Sequence, residues 1–286
     1  MINLSELRDL LSLEKIKDNN FIGQNYKTEW GRVFGGQVLG QSLYAAYQTV
    51  PEDRIAHSMH GYFILGGDIN IPINYQVDDI RDGKSFTTRR VVAFQKGKAI
   101  FNMAASFQLD QDGVNHQISM PNVLTPELLL TDLQQAIHLK EIDPKRYEKL
   151  LKSHPQVFEF KPIEKATFLK TRNSLPKSHV WFKTKEKFKT TIPFQHQLLA
   201  FASDYSLLLT ATLPHREKLF GKKIFYASLD HAIWFHRKFK IDEWLLYSMQ
   251  SPSASNSRGF TNGSIFNEKG EMVASVSQEG LIRTYK

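Results

Sequence analysis

Residues Ile192 to Pro214 read IPFQHQLLAFASDYSLLLTATLP and carry one charged side chain, Asp204, in a chain that is 23% charged. Read as one helix, the segment places Ala200, Phe201, Leu207, Leu208 and Ala211 on the face of Asp204, with Gln197 at one end. That face is apolar. A carboxylate taken into a core costs several kcal/mol, roughly, unless it is paired or hydrogen-bonded. Asp204 is therefore a candidate for chemistry, and the competing reading is a structural Asp satisfied by neighbouring amides.

The stretch has a counterpart in the first half. Residues 31–51, GRVFGGQVLGQSLYAAYQTVP, read as a glycine-opened helix ending before Pro51. After it come β-rich segments HSMHGYFIL, INYQVDDIRDG, SFTTRRVVAFQKG and KAIFNMAASFQLD, separated by turn signals such as Asp82-Gly83. FIGQNYKTEW precedes the helix and reads as a strand. After Asp204 the pattern returns in YASLDHAIWFH, EWLLYSMQS, SRGFTNGSIFNEKG and EMVASVSQEGLIRTY, with VFEFKPIEKATF and SHVWFKTK ahead of it. One buried helix followed by antiparallel strands, twice over, predicts an α+β fold of two tandem copies. The expected units are residues 1–120, a connecting segment 121–157 with helices over 126–140 and 144–152, and residues 158–286. Aligning helix ends at Pro51 and Pro214 sets Gln41 opposite Asp204. Aligning strand turns at Lys96-Gly97 and Lys269-Gly270 sets Ala105 opposite Gln278.

Composition narrows the function classes. Hydrophobic residues make up 41% of 286, as in an ordinary globular protein, and no cysteine is present, which removes disulfides, thiolate metal sites and cysteine nucleophiles. The formal charge is +8, from 37 Lys and Arg against 29 Asp and Glu. These charges lie in mixed-sign stretches such as KEIDPKRYEKLLK, which read as solvated helix faces, so no nucleic-acid partner is expected. MINLSELRDLLSLEKI, with Asn3 and Glu6 spaced as a capping box, reads as a helix and not a secretory signal. The Asp204 stretch has bilayer-spanning length, but Pro193, Gln195, His196, Gln197 and Ser203 argue against membrane insertion.

Several catalytic motifs are excluded by position. Gly40-Gln41-Ser42-Leu43-Tyr44 lacks the final glycine of a nucleophile elbow, and Gly83-Lys84-Ser85 lacks the upstream glycine of a P-loop. Gly35-Gly36 has no dinucleotide spacing; it reads as a helix start whose N–H groups face an anion or polarised carbonyl, or as close helix packing. The ten histidines, His57, His60, His231 and His236 on strands among them, form no HExxH pattern, so no metal site is expected. What remains is a polar trio. Gln278 interrupts an apolar strand face of Met272, Ala274 and Val276, and Ser228 opens the strand SLDHAIWFH. With Asp204 they can converge on one water, which is general-base hydrolysis without a covalent intermediate, or each can be satisfied separately by backbone.

The chain resembles the acyl-CoA thioesterase II family through RVFGGQVLGQSL (32–43), PINYQVDDIRDGKSFTTRRVVAFQKGKAIFNMAASFQ (72–108), SDYSLLLTATLPH (203–215), ASLDHAIWFH (227–236), SPSASNSRG (251–259) and VASVSQEGLIR (273–283). The resemblance implies a double hotdog, in which two long helices are each wrapped by a curved antiparallel sheet and the sheets join side by side. It implies hydrolysis of fatty acyl-CoA to CoA and free fatty acid, no cofactor, and catalysis by Asp204, Ser228 and Gln278. Gly35, Gly36, Arg89, Arg90 and Arg258 are the candidate substrate contacts. A cytoplasmic homo-oligomer, a dimer or tetramer of double hotdogs, is expected; the terminal Arg283-Thr284-Tyr285-Lys286 is not a peroxisomal Ser-Lys-Leu signal. The alternatives are a non-catalytic acyl-CoA-binding protein and an enoyl-CoA hydratase, which would want a His–Asp pair near the helix.

Overall fold

The computed structural model describes residues 3–166 and 169–285. Helix α1 (Leu4–Leu11) opens with the expected capping box: Glu6 donates its N–H to Asn3 Oδ1, and Glu6 Oε2 accepts from the Asn3 N–H. Strands β1 (Glu14–Lys17) and β2 (Asn20–Gly23) form a hairpin, so the expected strand over 21–30 stops at Gly23. Helix α2 (Gly35–Tyr47) follows, then β3 (Ile55–Phe63), β4 (Ile73–Asp82), β5 (Phe86–Gln95) and β6 (Lys98–Gln108).

In the connecting segment the helix expected over 126–140 is broken into a 3₁₀ turn at Pro126–Leu128, α3 (Asp132–Gln135) and α4 (Leu139–Ile142). Helix α5 (Pro144–Ser153) forms as expected, with Asp143 accepting the Arg146 N–H as its cap. The second copy comprises β7 (Phe158–Pro162), β8 (Lys177–Thr184), α6 (Ile192–Ser203), α7 (Arg216–Leu219), β9 (Ile224–Ser228), β10 (Asp230–Phe235), β11 (Leu245–Ser255), β12 (Arg258–Asn267) and β13 (Met272–Thr284). The strand read over 157–168 ends at Pro162, and its last two positions lie outside the described residues.

All the strands join in one sheet ordered β1-β2-β4-β5-β6-β3-β10-β13-β12-β11-β8-β7, with β9 added on β13. The order repeats itself outward from the β3–β10 pair, which is the double hotdog. The registers carry the same symmetry. β3 pairs Met59 with Ala105 and carries a bulge between Ala56 and Ser58. In the second copy β9 and β10 together take the place of β3, interrupted at Leu229, and both pair with β13. Ala105 thus corresponds to Gln278, Met59 to His231 and Ala56 to Ser228. Helices α2 and α6 cross inside the sheet, where Leu39, Leu43, Leu198, Leu199 and Ala200 are buried in one continuous core.

The helix reading of the whole stretch 192–214 is corrected. Helix α6 ends at Ser203 and Asp204 is its C-cap, after which Ser206 takes a left-handed φ of 68° and a 3₁₀ helix runs over Leu208–His215. The positive φ at Ser206 turns the chain, so Leu207, Leu208 and Ala211 do not continue the face of Asp204. Pro214 therefore closes a different element. The position at the C-cap of α2 is Gln48, not Gln41, which lies mid-helix and bonds the Leu10 and Gln24 carbonyls and the Tyr75 hydroxyl.

Candidate active site

Two glycines bring the helix ends together. A Cβ on Gly36 would lie 2.3 Å from the Phe201 carbonyl oxygen, and one on Gly40 would lie 3.2 Å from that of Gln197. Bare backbone lets α2 cross α6 at a distance that no side chain permits. The N-terminus of α2 is thereby set against the C-cap of α6. Gly36 donates its N–H to the Asp204 carboxylate, and a Cβ on Gly35 would lie 2.6 Å from Asp204 Oδ2. An anion at a helix N-terminus is favoured by the exposed N–H groups and the helix dipole. Phe34, the N-cap, supplies no side-chain acceptor, so the first turn is not capped by its own helix.

The sheet supplies the rest. Gln278 Nε2 donates to Asp204 Oδ1 at 3.1 Å and to Ser228 Oγ at 2.5 Å, and Ser228 donates to the same carboxylate oxygen at 3.4 Å. The trio named from sequence is thus in mutual contact. Ser228 ends β9 and does not open β10; the break at Leu229 is what lets it and His231 both point inward although an odd number of positions separates them. His231, absent from the expected site, completes the cluster: its Nδ1 lies 3.1 Å from Gln278 Oε1 and its Nε2 lies 2.9 Å from Ser203 Oγ. The sequence signal for it was the same as for Gln278, a polar residue at a strand position whose first-copy counterpart is apolar Met59.

Burial pushes the Asp204 carboxyl above the ordinary carboxylate range, opposed by the nearby His231 ring and by the donors Gln278, Gly36 and Ser228. Burial also holds the His231 ring below the usual imidazole range, so it is neutral at pH 7 despite the neighbouring Asp204 and Asp230. A carboxylate made more basic than usual and surrounded by donors that hold it in place is equipped to take a proton from water.

The basic candidates are each held in ion pairs. Arg89 is 2% exposed and bound to Asp79 at 3.0 Å, to Asp82 at 2.8 Å and to the Thr49 hydroxyl and carbonyl. Arg90 pairs with Asp78 on the surface, and Arg258 pairs with Glu279, beside Gln278 on β13. Arg89 ties the end of α2 to the β4–β5 hairpin. Arg89→Met is expected to cost about 2 kcal/mol of stability, less than a fully buried pair because Asp79 and Asp82 stay half in water. Its KM is expected to stay within about twofold of wild type, near the scatter of an unperturbed site; urea denaturation and steady-state kinetics check both.

The symmetry-related position in the first copy is filled. Tyr47, at the end of α2, takes the N–H of Ala56 and bonds His196 Nδ1 at 2.9 Å, and His196 stacks on Phe235 with centroids 4.0 Å apart. Burial lowers the His196 ring to about 3. Pro193 sits in the first turn of α6, where its ring nitrogen has no hydrogen to offer. The equivalents of Asp204, Ser228 and Gln278 in the first copy are Gln48, an exposed amide, Ala56 and Ala105, so neither the carboxylate nor the donors beside it are reproduced there.

The family model described as acyl-CoA thioesterase matches residues 153–281, and that described as acyl-CoA thioesterase N-terminal domain matches residues 26–108. Acyl-CoA thioesterase 2 of Haemophilus influenzae is 39% identical over 282 residues, covering 98% of each chain. The crystal structure of an acyl-CoA thioesterase II from Mycobacterium marinum is 36% identical and superposes with a TM-score of 0.80 over 98% of this chain and 99% of that one. A hotdog protein of unknown function from Alicyclobacillus acidocaldarius, 16% identical, shares the fold over 98% of both chains with a TM-score of 0.76. The two-copy fold and the full-length identity agree: the chain belongs to the acyl-CoA thioesterase family.

Proposed function

We propose that this thioesterase hydrolyses fatty acyl-CoA by direct attack of a water on the thioester carbonyl, with Asp204 as general base and Ser228 and Gln278 as its positioning donors. The observation that carries this reading is the contact of all three side chains at the N-terminus of α2, through one carboxylate oxygen. Asp204 takes one proton from the water as the oxygen bonds to the carbonyl carbon. The carbonyl oxygen gains the negative charge at the N-terminus of α2, where a backbone N–H not used by Asp204 is its donor, that of Gly36 being already given to the carboxylate. Such donors contribute roughly 3 kcal/mol in comparable sites. Collapse of the tetrahedral intermediate breaks the C–S bond, and the proton held by Asp204 leaves with the CoA thiolate.

A serine beside a carboxylate invites the reading that Ser228 is the nucleophile. The geometry favours water: Ser228 Oγ is already engaged by Gln278 and Asp204, and the neutral His231 reaches Gln278 and Ser203 instead of Ser228. Thiol release from acyl-CoAs of increasing chain length tests the activity, and Ser228→Ala tests the mechanism. We expect that variant to keep about a tenth of kcat, the range for losing one orienting bond and not the nucleophile. No acyl-enzyme should be trapped by hydroxylamine. Complete loss of turnover in Ser228→Ala, or a trapped ester, excludes the water mechanism.

A further inference from the structure

We propose that His231 is a positioning residue of the hydrolytic site, acting through Gln278: it sets which end of the Gln278 amide faces Asp204. The inference rests on the reading of the trio given above. An amide can present either its oxygen or its NH₂ group, and the two orientations fill the same space. Here Nε2 meets two oxygens, Asp204 Oδ1 and Ser228 Oγ, while Oε1 meets His231 Nδ1. An acceptor at Oε1 requires a hydrogen on Nδ1, so in the neutral ring Nε2 must accept, and Ser203 Oγ, 2.9 Å away, is its donor.

The bonds then run in one direction: Ser203 hydroxyl to His231, His231 to Gln278, Gln278 to Asp204 and Ser228, and Ser228 to Asp204. His231 and Gln278 each accept from the group before and donate to the group after, and such a chain polarises in one sense. The opposite imidazole tautomer reverses it. With the hydrogen on Nε2, Nδ1 would accept from the amide NH₂, Ser203 Oγ would accept from the ring and donate to the Ala200 carbonyl at 3.0 Å, and Gln278 Oε1 would be turned against the carboxylate. Two acceptors would face each other at the place where the base must be held. At the other end of the amide from Asp204 and Ser228, His231 is the hydrogen-bond partner of Oε1 among the described residues; Thr261, the cross-strand neighbour on β12, has a hydroxyl that makes no hydrogen bond.

His231 is fully buried, so its removal also leaves a hole, and the test must separate orientation from packing. His231→Asn keeps an N–H donor at the position of Nδ1 but fills the space poorly. His231→Leu fills the space and has no donor. We expect His231→Leu to lower kcat about 30-fold with KM changed less than about twofold, and His231→Asn to recover kcat to within about fivefold of wild type, in the range expected when a reacting group is misaligned. A packing role predicts the opposite order, with Leu the milder change. In a Gln278→Ala background, where no amide remains to be oriented, His231→Leu should lower kcat no further.

Asp204→Asn run beside these variants distinguishes the two levels of inference. Undiminished turnover by Asp204→Asn overturns the site and this proposal with it. Loss of turnover in Asp204→Asn, together with equal impairment by Asn and Leu at 231 or an additive loss in the Gln278→Ala background, overturns the role of His231 alone. If His231→Leu fails to fold, the ratio of His231→Asn in the wild-type and Gln278→Ala backgrounds carries the same decision.

Discussion

Asp204→Asn is expected to lower kcat about 10³-fold while raising the melting temperature. Asn has the shape of Asp and retains an acceptor for Gln278 and Ser228, so the cluster persists while the base is lost; general-base contributions of roughly 10² to 10⁴ are usual. The gain in stability follows from the sign of the shift. Burial raises the folded-state pKa of Asp204 above its unfolded value, so the ionised form disfavours the fold. Below the ordinary carboxylate range both states hold the proton and there is no penalty; the penalty sets in as pH rises past the unfolded value and is complete above the folded one. Asn never ionises. The variant should melt higher than wild type at pH 7, and the gap should close toward pH 4. The acid limb of kcat/KM in the wild type should correspondingly lie above the ordinary carboxylate range. A melting gap of the same size at both pH values, or full activity in the variant, removes Asp204 from the role of a buried base.

How far the site was legible in the sequence follows from the kind of signal each residue leaves. Asp204, Gln278 and His231 interrupt apolar faces, and alternation along a strand or helix exposes such interruptions directly. Only the first two were drawn into the site, because a histidine on a strand face has no fixed reading until its neighbours are known. The two-copy architecture was legible from repeated element order, and the strand alignment built on the turns at Gly97 and Gly270 agrees with the registers of β6 and β13. The helix alignment failed for a physical reason. Ser206 carries no mark of its left-handed φ, so the residues after it, apolar and helix-compatible, read as one continuous helix through Pro214. The arginines could not be told apart for a similar reason: Arg89 and Arg90 sit on one strand, but alternation sends one into a buried network and the other to the surface.

The two glycines at the start of α2 are expected to fail in different ways when changed to alanine. Alanine gains about 1 kcal/mol over glycine in a helix interior, and that gain must be weighed against what the new methyl meets. At Gly36 it meets the Phe201 carbonyl at 2.3 Å, and a backbone oxygen inside a helix cannot turn aside; it also meets the Phe34 ring at 2.5 Å. Overpacking of this kind costs roughly 3 kcal/mol, so Gly36→Ala should lose about 2 kcal/mol net and melt ~5 °C lower. Gly40→Ala, one turn along the same crossing, meets a Leu11 methyl at 2.9 Å and the Gln197 carbonyl at 3.2 Å, and relief by the leucine should leave it near wild-type stability. At Gly35 the obstacles are side-chain ends, Asp204 Oδ2 at 2.6 Å and the Phe63 ring at 3.0 Å, which can move. Gly35→Ala should therefore fold with near wild-type stability and lower kcat at least about 10-fold, because what moves is the base itself. Thermal melts and thiol-release kinetics on the three variants separate the roles. Equal melting temperatures for Gly36→Ala and Gly40→Ala would show that the helix crossing tolerates the added methyl. Full turnover by Gly35→Ala would show that the carboxylate does not work from the position it occupies at the mouth of α2.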